Sequence, residues 1–310
     1  MRKILAIIFC FISPYIQAQG RFDDYMAKTP AFSITLSLAK RVKQDVPYSH
    51  ITFLDVRPDT MALGFYSLYS DSFARYTFKN GFINELEKYF SNNFRLSEKA
   101  EDSPALLIAI KKFWISGYTS DSSHFIKKDR KKSLVLDAEV YKENNSGFTA
   151  FFRMDTIIEY KSDLLAATAA DVCSFSLRTF LEKIISMRSR VNNPKRNFSI
   201  AEIKDHLFSR FSIPLLTDTL KKAGVYYTFP DFKNNNPVVQ DFVPREADAS
   251  DDIFVFNDKG EETLVRHFWG LCDGKNLYIN FRNNIFPVIR SGNSFYISGN
   301  PEIISAASDN

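Results

Sequence analysis

The sequence predicts an α+β protein: an N-terminal two-layer β-α-β-β-β-α sandwich with an antiparallel sheet, followed by a small antiparallel β-meander domain. Three observations lead to this prediction. The chain carries 30 Phe and 14 Tyr among 310 residues, and aromatic side chains favour strands. Several segments alternate apolar and polar residues as half-buried strands do, and two long segments repeat apolar residues at helical spacing. With 45% hydrophobic and 25% charged residues, the composition is that of a globular protein.

The first domain is predicted to contain four strands and two helices. Pro58 ends the opening strand because its ring removes a ladder donor. A hairpin turn at 143–147, ENNSG, joins the last two strands. Asp163 is the predicted cap of the second helix, which we expect to lie across the buried face of the sheet, while the other face stays wet or meets a partner. The predicted strands are 50–56, 106–115, 133–141 and 148–160, and the predicted helices are 81–94 and 164–188.

The domain boundaries follow from changes in composition along the chain. The polar stretch 192–197 separates two domains. Ser199 and Glu202 have capping-box spacing at the start of a short helix that follows it. Further on, short aromatic strands are divided by turns such as Asp273-Gly274, which is typical of hairpins. We therefore expect a signal peptide at 1–18, the α+β domain at 19–192, a linker with the short helix at 193–222 and the β domain at 223–310.

The stretch 224–239, GVYYTFPDFKNNNPVV, opens the second domain and permits two interpretations. Its aromatic and amide side chains would suit a binding loop. Its local chemistry favours a turn, because Thr228 and Asp231 have capping-box spacing and Asn235 or its neighbour can end a helical turn in the left-handed conformation. The sequence predicts one short helical turn between two strands, with at least one of its two Phe side chains buried.

The N-terminal residues predict export from the cell. Arg2 and Lys3 precede an apolar run that ends at Ile12, and Ala18 is a small residue at the expected cleavage position. The run is about half of the roughly 20 apolar residues that span a bilayer. We expect a periplasmic or secreted protein, peripheral to the envelope at most, with no transmembrane segment after signal cleavage.

The charge of the chain bounds its partners. The formal charge is +4, and subtracting the two charges of Arg2 and Lys3 leaves +2. This value is too near neutral to favour nucleic acid. The expected partner is an envelope component or another protein.

Motifs for metal binding, cofactor binding and covalent catalysis are missing from the sequence, so no cofactor and no metal are predicted. His267 is predicted to pack in a strand beside Trp269 rather than to act as a ligand or base. Cys173 and Cys272 either form a disulfide, as an exported protein permits, or stay free. Because Cys173 falls on the apolar face of a predicted helix, the free buried thiol is the favoured interpretation.

A dense basic cluster is the first candidate site. It comprises Lys127, Lys128, Arg130, Lys131 and Lys132, and it lies in a predicted loop between two strands. Such a cluster would attract phosphate or lipid head groups, with a strength that falls as salt rises. The alternative interpretation, which we favour, is a solvated loop end.

The loop with Asp55, Arg57 and Asp59 is the second candidate site, because these residues follow a strand end, where catalytic groups often lie. A carboxylate pair in space could serve as general acid and base. Asp251 and Asp252, in a polar segment, are a further pair. For both pairs the simpler interpretation is that solvated or turn-capping carboxylates have no catalytic role.

Two regions resemble known families. Residues 30–190 resemble the auxiliary lipoproteins of ABC-type transport in the bacterial envelope, through the segment DVRPD at 55–59, the Leu63-Gly64 pair and the order of the later elements. Residues 223–299 resemble a C-terminal domain of uncharacterised exported bacterial proteins, through GVY at 224–226, DFKNN at 231–235 and CDGKNLYI at 272–279. The first resemblance implies a transport accessory and requires an apolar groove; the second implies export.

Taken together, these patterns predict an exported, non-catalytic bacterial envelope or secreted protein that serves as a binding or accessory module. The alternative is an exported hydrolase that acts on envelope glycans or lipids with a carboxylate pair beside a concave pocket.

Overall fold

The computed structural model describes residues 31–36, 43–69, 72–97, 103–117, 132–160, 168–187, 196–246, 251–257, 259–281 and 284–297. Contacts divide the chain into two compact units, one of Thr29–Phe208 and the other of the chain from Ser209 onward. The protein is of the predicted α+β class.

The first unit is organised around a four-stranded sheet of order β3-β7-β8-β9. The pairs β7–β8 and β8–β9 are antiparallel, as predicted, whereas β3 runs parallel to β7 because a helical crossover separates them. Smaller sheets of order β1-β5-β4 and β2-β6 flank it. The elements are β1 Ala31–Ile34, β2 Gln44–Asp45, β3 Ile51–Asp55, β4 Phe65–Tyr69, β5 Ser72–Phe78, α1 Phe82–Asn93, β6 Phe94–Arg95, β7 Leu106–Gly117, β8 Lys132–Asn144, β9 Gly147–Tyr160, α2 Ala169–Ser186 and α3 Ile200–Ser209.

The core of this unit lies between the sheet and the helices α1 and α2. The helices contribute apolar stripes at helical spacing, with Leu86 and Phe180 among their fully buried side chains. The strands contribute alternate residues such as Leu134 and Leu136, which are also fully buried. The prediction that the second helix covers the buried face of the sheet is therefore confirmed.

The start of α2 differs from the prediction. Thr168 has extended backbone angles, its hydroxyl accepts a hydrogen bond from the Asp171 N–H, and the Asp171 carboxylate accepts one from the Thr168 N–H. This reciprocal capping box begins the helix at Ala169 rather than at 164. The predicted cap, Asp163, lies outside the described residues.

Helix α3 belongs to the first unit. Its predicted capping box is present, since Ser199 Oγ accepts from the Glu202 N–H at 3.1 Å and a Glu202 carboxylate oxygen accepts from the Ser199 N–H at 2.8 Å. Ile203 and Leu207 on its buried face form a small apolar cluster with residues of β7 and β8. The helix thus covers one end of the sheet face that α2 leaves open.

The second unit contains two antiparallel sheets, of order β10-β14-β15-β16-β17 and β11-β12-β13. Strands β14 to β17 are joined as the predicted meander, with β10 paired to β14 at its edge, while β11, β12 and β13 form a separate sheet. Its elements are α4 Pro214–Thr217, β10 Gly224–Tyr226, α5 Phe229–Lys233, β11 Phe242–Glu246, β12 Asp251–Phe256, β13 Glu262–Val265, β14 Gly270–Cys272, β15 Leu277–Phe281, β16 Asn284–Ser291 and β17 Ser294–Ile297.

The stretch 224–239 is the predicted helical turn between strands. The Thr228–Asp231 capping box opens α5, and Asn235 ends the turn at φ 49°. Phe232 is buried, whereas Phe229 is exposed, so one of the two Phe side chains anchors the turn. Asn235 is fully buried and uses its amide fully: its Oδ1 accepts from Tyr226 OH, and its Nδ2 donates to Asp218.

Candidate functional site

The predicted loop of Asp55, Arg57 and Asp59 is assembled in space, but as a buried clamp. Arg57 Nε and Nη2 donate to the two carboxylate oxygens of Asp55 at 2.8 and 2.9 Å. The remaining guanidinium donor, Nη1, reaches the Ala62 carbonyl at 3.0 Å. Only 3% of the Arg57 side chain is exposed. All three guanidinium nitrogens thus donate hydrogen bonds to residues of the same segment, Asp55, Thr60 and Ala62.

Further contacts hold the same loop in place. The Arg57 guanidinium stacks on the Phe82 ring, 3.7 Å from the ring centroid, and Asp59 Oδ1 accepts from the Met61 N–H at 2.7 Å. At the end of the loop Gly64 adopts φ 140°, and a Cβ there would collide with the Ile115 carbonyl. Asp59 is buried as well. These contacts join β3, α1 and β7, so the loop is a structural clamp.

The basic cluster is largely outside the described residues. This applies to Lys127, Lys128, Arg130 and Lys131, while the backbone of Lys132 begins β8. The preference for phosphate or lipid head groups that was derived from its charge remains a prediction.

A second charged group, which the sequence analysis did not single out, lies on the face of the four-stranded sheet opposite α2. We call Lys111, Asp137, Glu139, Tyr141 and Arg153 the polar sheet face. Lys111 Nζ lies 2.9 Å from Glu139 Oε1 and 3.3 Å from Asp137 Oδ2. Tyr141 OH donates to Glu139 Oε2 at 2.7 Å. Arg153 Nε lies 3.9 Å from Asp137 Oδ1. One ammonium group therefore bridges two carboxylates at the centre of the sheet.

A β-bulge in β7 puts both Lys111 and Lys112 on this face. The register of β7 against β8 shifts between Ile110 and Lys112, so Lys111 is the extra residue. Before the bulge, even-numbered residues such as Ile110 face the main core, and after it odd-numbered ones such as Phe113 do so. Lys111 continues the row of Leu107 and Ala109 on this face, and the bulge adds Lys112, which lies opposite Asp137. The Lys-Lys interruption of an apolar run is the signal in the sequence.

The surrounding groups keep Glu139 ionised near neutral pH. Burial raises the pKa of Glu139, but hydrogen bonds from Tyr141 and Lys111 outweigh burial and hold the pKa below its usual value. Burial and the Glu139 carboxylate raise the pKa of the Tyr141 phenol. Asp137 Oδ1 is buried and accepts no hydrogen bond from the described residues. Arg153 Nε lies 3.9 Å from this oxygen, which is an ion-pair distance beyond hydrogen-bond range.

An apolar row borders the charges on the same face. In the strand register Trp114 lies opposite Val135, and Val135 lies opposite Ile157. Trp114 and Val135 are half-buried, and 63% of Ile157 is exposed. At the other end of the face, Tyr141 is buried in the cluster beneath α3. The open part of the face thus combines charged and apolar groups, as protein-binding surfaces do.

The other candidates from the sequence provide no second site. His267 is exposed and lies outside any strand, so the prediction that it packs in a strand is wrong. Cys173 and Cys272 are both free and buried, and burial raises the pKa of the Cys272 thiol to about 11. Asp251 and Asp252 begin β12 instead of lying in a linker. Within the described ranges no group of three or more His, Cys, Asp or Glu side chains could hold a metal.

The comparisons with known proteins leave the family of this chain open. No family model matches it, and no curated protein matches it. In the part of the chain that the structure describes, no helix is both long and apolar enough to cross a membrane.

Proposed function

We propose that this protein is an exported, non-catalytic binding module of the bacterial envelope and that the polar sheet face binds its partner. The observation that carries the proposal is the Lys111 ammonium held between Asp137 and Glu139 on an open sheet face, with a buried Asp137 oxygen left unbonded. Charges held in place before binding lose little freedom when a partner arrives. Export rests on the N-terminal sequence pattern.

The chemistry of the face favours a protein partner with a cationic side chain next to apolar ones. By the strand register this face carries four carboxylates, with Asp155 and Glu159 beside Asp137 and Glu139. Three cations, Lys111, Lys112 and Arg153, stand against them, which leaves one net negative charge. Asp137 Oδ1 is an unused acceptor, and an Arg guanidinium of the partner would supply donors in a suitable geometry. The exposed Ile157 offers apolar contact beside it.

The hydrolase alternative requires a carboxylic acid that can deliver a proton. Glu139, which accepts hydrogen bonds from Lys111 and Tyr141, has its pKa lowered rather than raised, so it stays ionised at neutral pH. Lys111 pairs with one oxygen of each carboxylate, so the two acids share a cation rather than standing apart as an acid and a base. The same charge arrangement suits recognition, in which no proton is transferred.

The transport-accessory interpretation requires an apolar groove on the first unit. The interface between the sheet and α2 is instead filled by side chains such as Val172, Leu177 and Phe180, which are at most 2% exposed. The groove that remains at the edge of this interface, beside β9, is open and carries charged side chains such as Glu182 and Lys183 next to Phe152 and Met154, which suits a lipid chain poorly. A protein-binding role for the outer face needs no apolar groove.

Site-specific photo-crosslinking in intact cells tests the binding face. We would place p-benzoylphenylalanine at Val135 on the open face and, as a control, at the exposed Ser91 on α1. The proposal predicts a discrete crosslinked product from Val135 and none from Ser91, in the periplasmic or secreted fraction. Equal products from both positions, or none from either, would contradict it.

Turnover assays separate binding from hydrolysis. We expect the purified protein to leave isolated cell-wall glycan and phospholipid vesicles unchanged. Hydrolysis that Asp137→Asn or Glu139→Gln abolishes, in a variant with unchanged circular dichroism, would establish the alternative function.

A further inference from the structure

Strand β9 forms an edge of the four-stranded sheet, and most of its outer side is not paired with another described strand. Among the described residues a single bridge, Phe148 with Phe198, pairs this side, through hydrogen bonds of 2.7 and 2.8 Å. From Ala150 to Tyr160 no described strand lies against it. An edge strand presents unpaired N–H and C=O groups that can pair with another chain.

An open groove of about 620 Å³ runs between this edge and α2. It is lined on the strand side by residues such as Phe152 and Met154 and on the helix side by Thr179, Glu182 and Lys183. The groove therefore leaves room beside β9 on the helix face of the sheet. The opposite face of the same strand carries exposed side chains, with Arg153 and Asp155 at 59% and 65% exposure.

Symmetry restricts how β9 could pair with β9 of a second copy. In an antiparallel pair the two strands are related by a two-fold axis, and directly opposite residues point to the same face. On β9 the even residues Met154 and Thr156 face α2, while the odd residues Arg153, Asp155 and Ile157 face away. A pairing that keeps the faces matched must be centred on a residue, not between two.

The charges on the outer face then select among the matched registers. Arg153, Asp155, Ile157 and Glu159 follow one another along the outer face. Pairing centred on Arg153, Asp155 or Ile157 therefore sets like charges opposite each other. Pairing centred on Met154 places Arg153 of each copy opposite Asp155 of the other, whereas pairing centred on Thr156 opposes Arg153 to Glu159 but sets Asp155 against the apolar Ile157. Opposite charges in directly opposed positions stabilise a sheet, and like charges destabilise it.

We propose that the protein forms a two-fold symmetric dimer through antiparallel pairing of β9 with β9 of a second copy, centred on Met154. The pairing joins two four-stranded sheets into one of eight strands, with both copies of α2 on one side and both polar sheet faces on the other. The partner is a second copy because the charge pattern of this strand is complementary to itself. This inference does not depend on what the polar sheet face binds.

Sedimentation of the purified full chain tests the proposal. The wild type is expected to dimerise, and Arg153→Asp is expected to raise the dimer dissociation constant roughly tenfold or more, since like charges replace both ion pairs. The double variant Arg153→Asp with Asp155→Arg restores opposite charges in this register and should restore the dimer. Because both positions are well exposed, the variants should fold, which circular dichroism checks.

A register centred on Thr156 is the competing arrangement, since it opposes Arg153 to Glu159. It predicts rescue by Arg153→Glu with Glu159→Arg rather than by the Asp155 exchange, and that result would overturn the Met154 register. Oxidation provides a second readout: Met154→Cys should give an intermolecular disulfide, whereas Thr156→Cys should not. A wild type that stays monomeric at every concentration, or a dimer that is indifferent to Arg153→Asp, overturns the proposal.

Discussion

Two charged clusters lie at the same sheet. They are similar in burial but differ in how their hydrogen-bonding groups are used. The Asp55–Arg57 pair has side-chain exposures of 15% and 3%, and Lys111 with Asp137 and Glu139 has 13%, 17% and 20%. The exposures overlap, but the hydrogen bonds differ. Arg57 donates hydrogen bonds to Asp55 and to carbonyls of its own loop, and it stacks on Phe82. In contrast, Asp137 Oδ1 accepts no hydrogen bond from the described residues.

The difference assigns opposite roles to the two clusters. A group whose donors all end on nearby carbonyls holds its own loop, and replacing it costs stability. Under the proposed function, the polar sheet face, where an Asp137 oxygen accepts no hydrogen bond from the described residues, contacts an external partner. Each of the following predictions tests whether the two clusters separate in this way.

The largest expected effect is on the buried clamp. Arg57→Met should lower the free energy of unfolding by about 3–5 kcal/mol, because it leaves Asp55 without its partner in a largely buried position. Urea denaturation measures the change. The matched control is Arg95→Met, whose pair with Asp45 is 63% and 77% exposed and should contribute about 0–1 kcal/mol. Equal losses in the two variants would contradict the clamp.

A smaller effect is expected on the polar sheet face. Lys111→Met should lower the free energy of unfolding by about 1–3 kcal/mol, since it removes hydrogen bonds to charged groups that remain partly solvated. Lys112→Met, one residue away and exposed, should change it by about 0.5 kcal/mol or less. A loss at Lys111 as large as that at Arg57 would erase the distinction between the clusters.

The pH dependence of stability sharpens the same point. The pKa of Glu139 is lowered in the folded state, so its contribution is present above its usual pKa of 4.5 and is lost as pH falls through the folded value. Wild type should therefore be more stable than Glu139→Gln at pH 7, and the difference should shrink below about pH 4.5. A difference that stays constant between pH 7 and pH 3 would show that the charge of Glu139 contributes nothing.

The smallest expected effect concerns the two buried thiols, which report local loosening in each unit. Burial raises the pKa of Cys173 and raises that of Cys272 to about 11, so both should resist alkylation at pH 8 in the folded protein. Arg57→Met should increase labelling of Cys173, and Lys111→Met should leave it near the wild-type rate. Cys272, in the other unit, is the internal control. Rapid labelling in wild type would contradict the buried environments.

The sequence predicts the elements well where a local pattern determines them. The alternating strands β8 and β9, the helix stripes and the Thr228–Asp231 turn all depend on neighbours in the chain, and they occur as predicted. What it missed depends on pairing across the sheet. Neither the parallel pairing of β3 with β7 nor the division of the second unit into two sheets leaves a local mark.

The candidate site was harder to predict for the same reason. Asp55, Arg57 and Asp59 stood out because they are close in sequence, but closeness in sequence also makes them able to satisfy one another. Lys111 and Glu139 come from different strands, and the pairing of β7 with β8 brings them together. Their contact depends on the register of that pairing, which cannot be derived from the apolar pattern of either strand alone.

One measurement tests the central claim most directly: the yield of the in-cell crosslink from p-benzoylphenylalanine at Val135, compared in three backgrounds. The account predicts that the wild-type yield is kept in Arg57→Lys, which weakens a structural clamp, and lost in Lys111→Met, which removes the centre of the binding face. Both variants are compared at a temperature at which circular dichroism shows them folded. Loss of the crosslink in Arg57→Lys with retention in Lys111→Met would contradict the account.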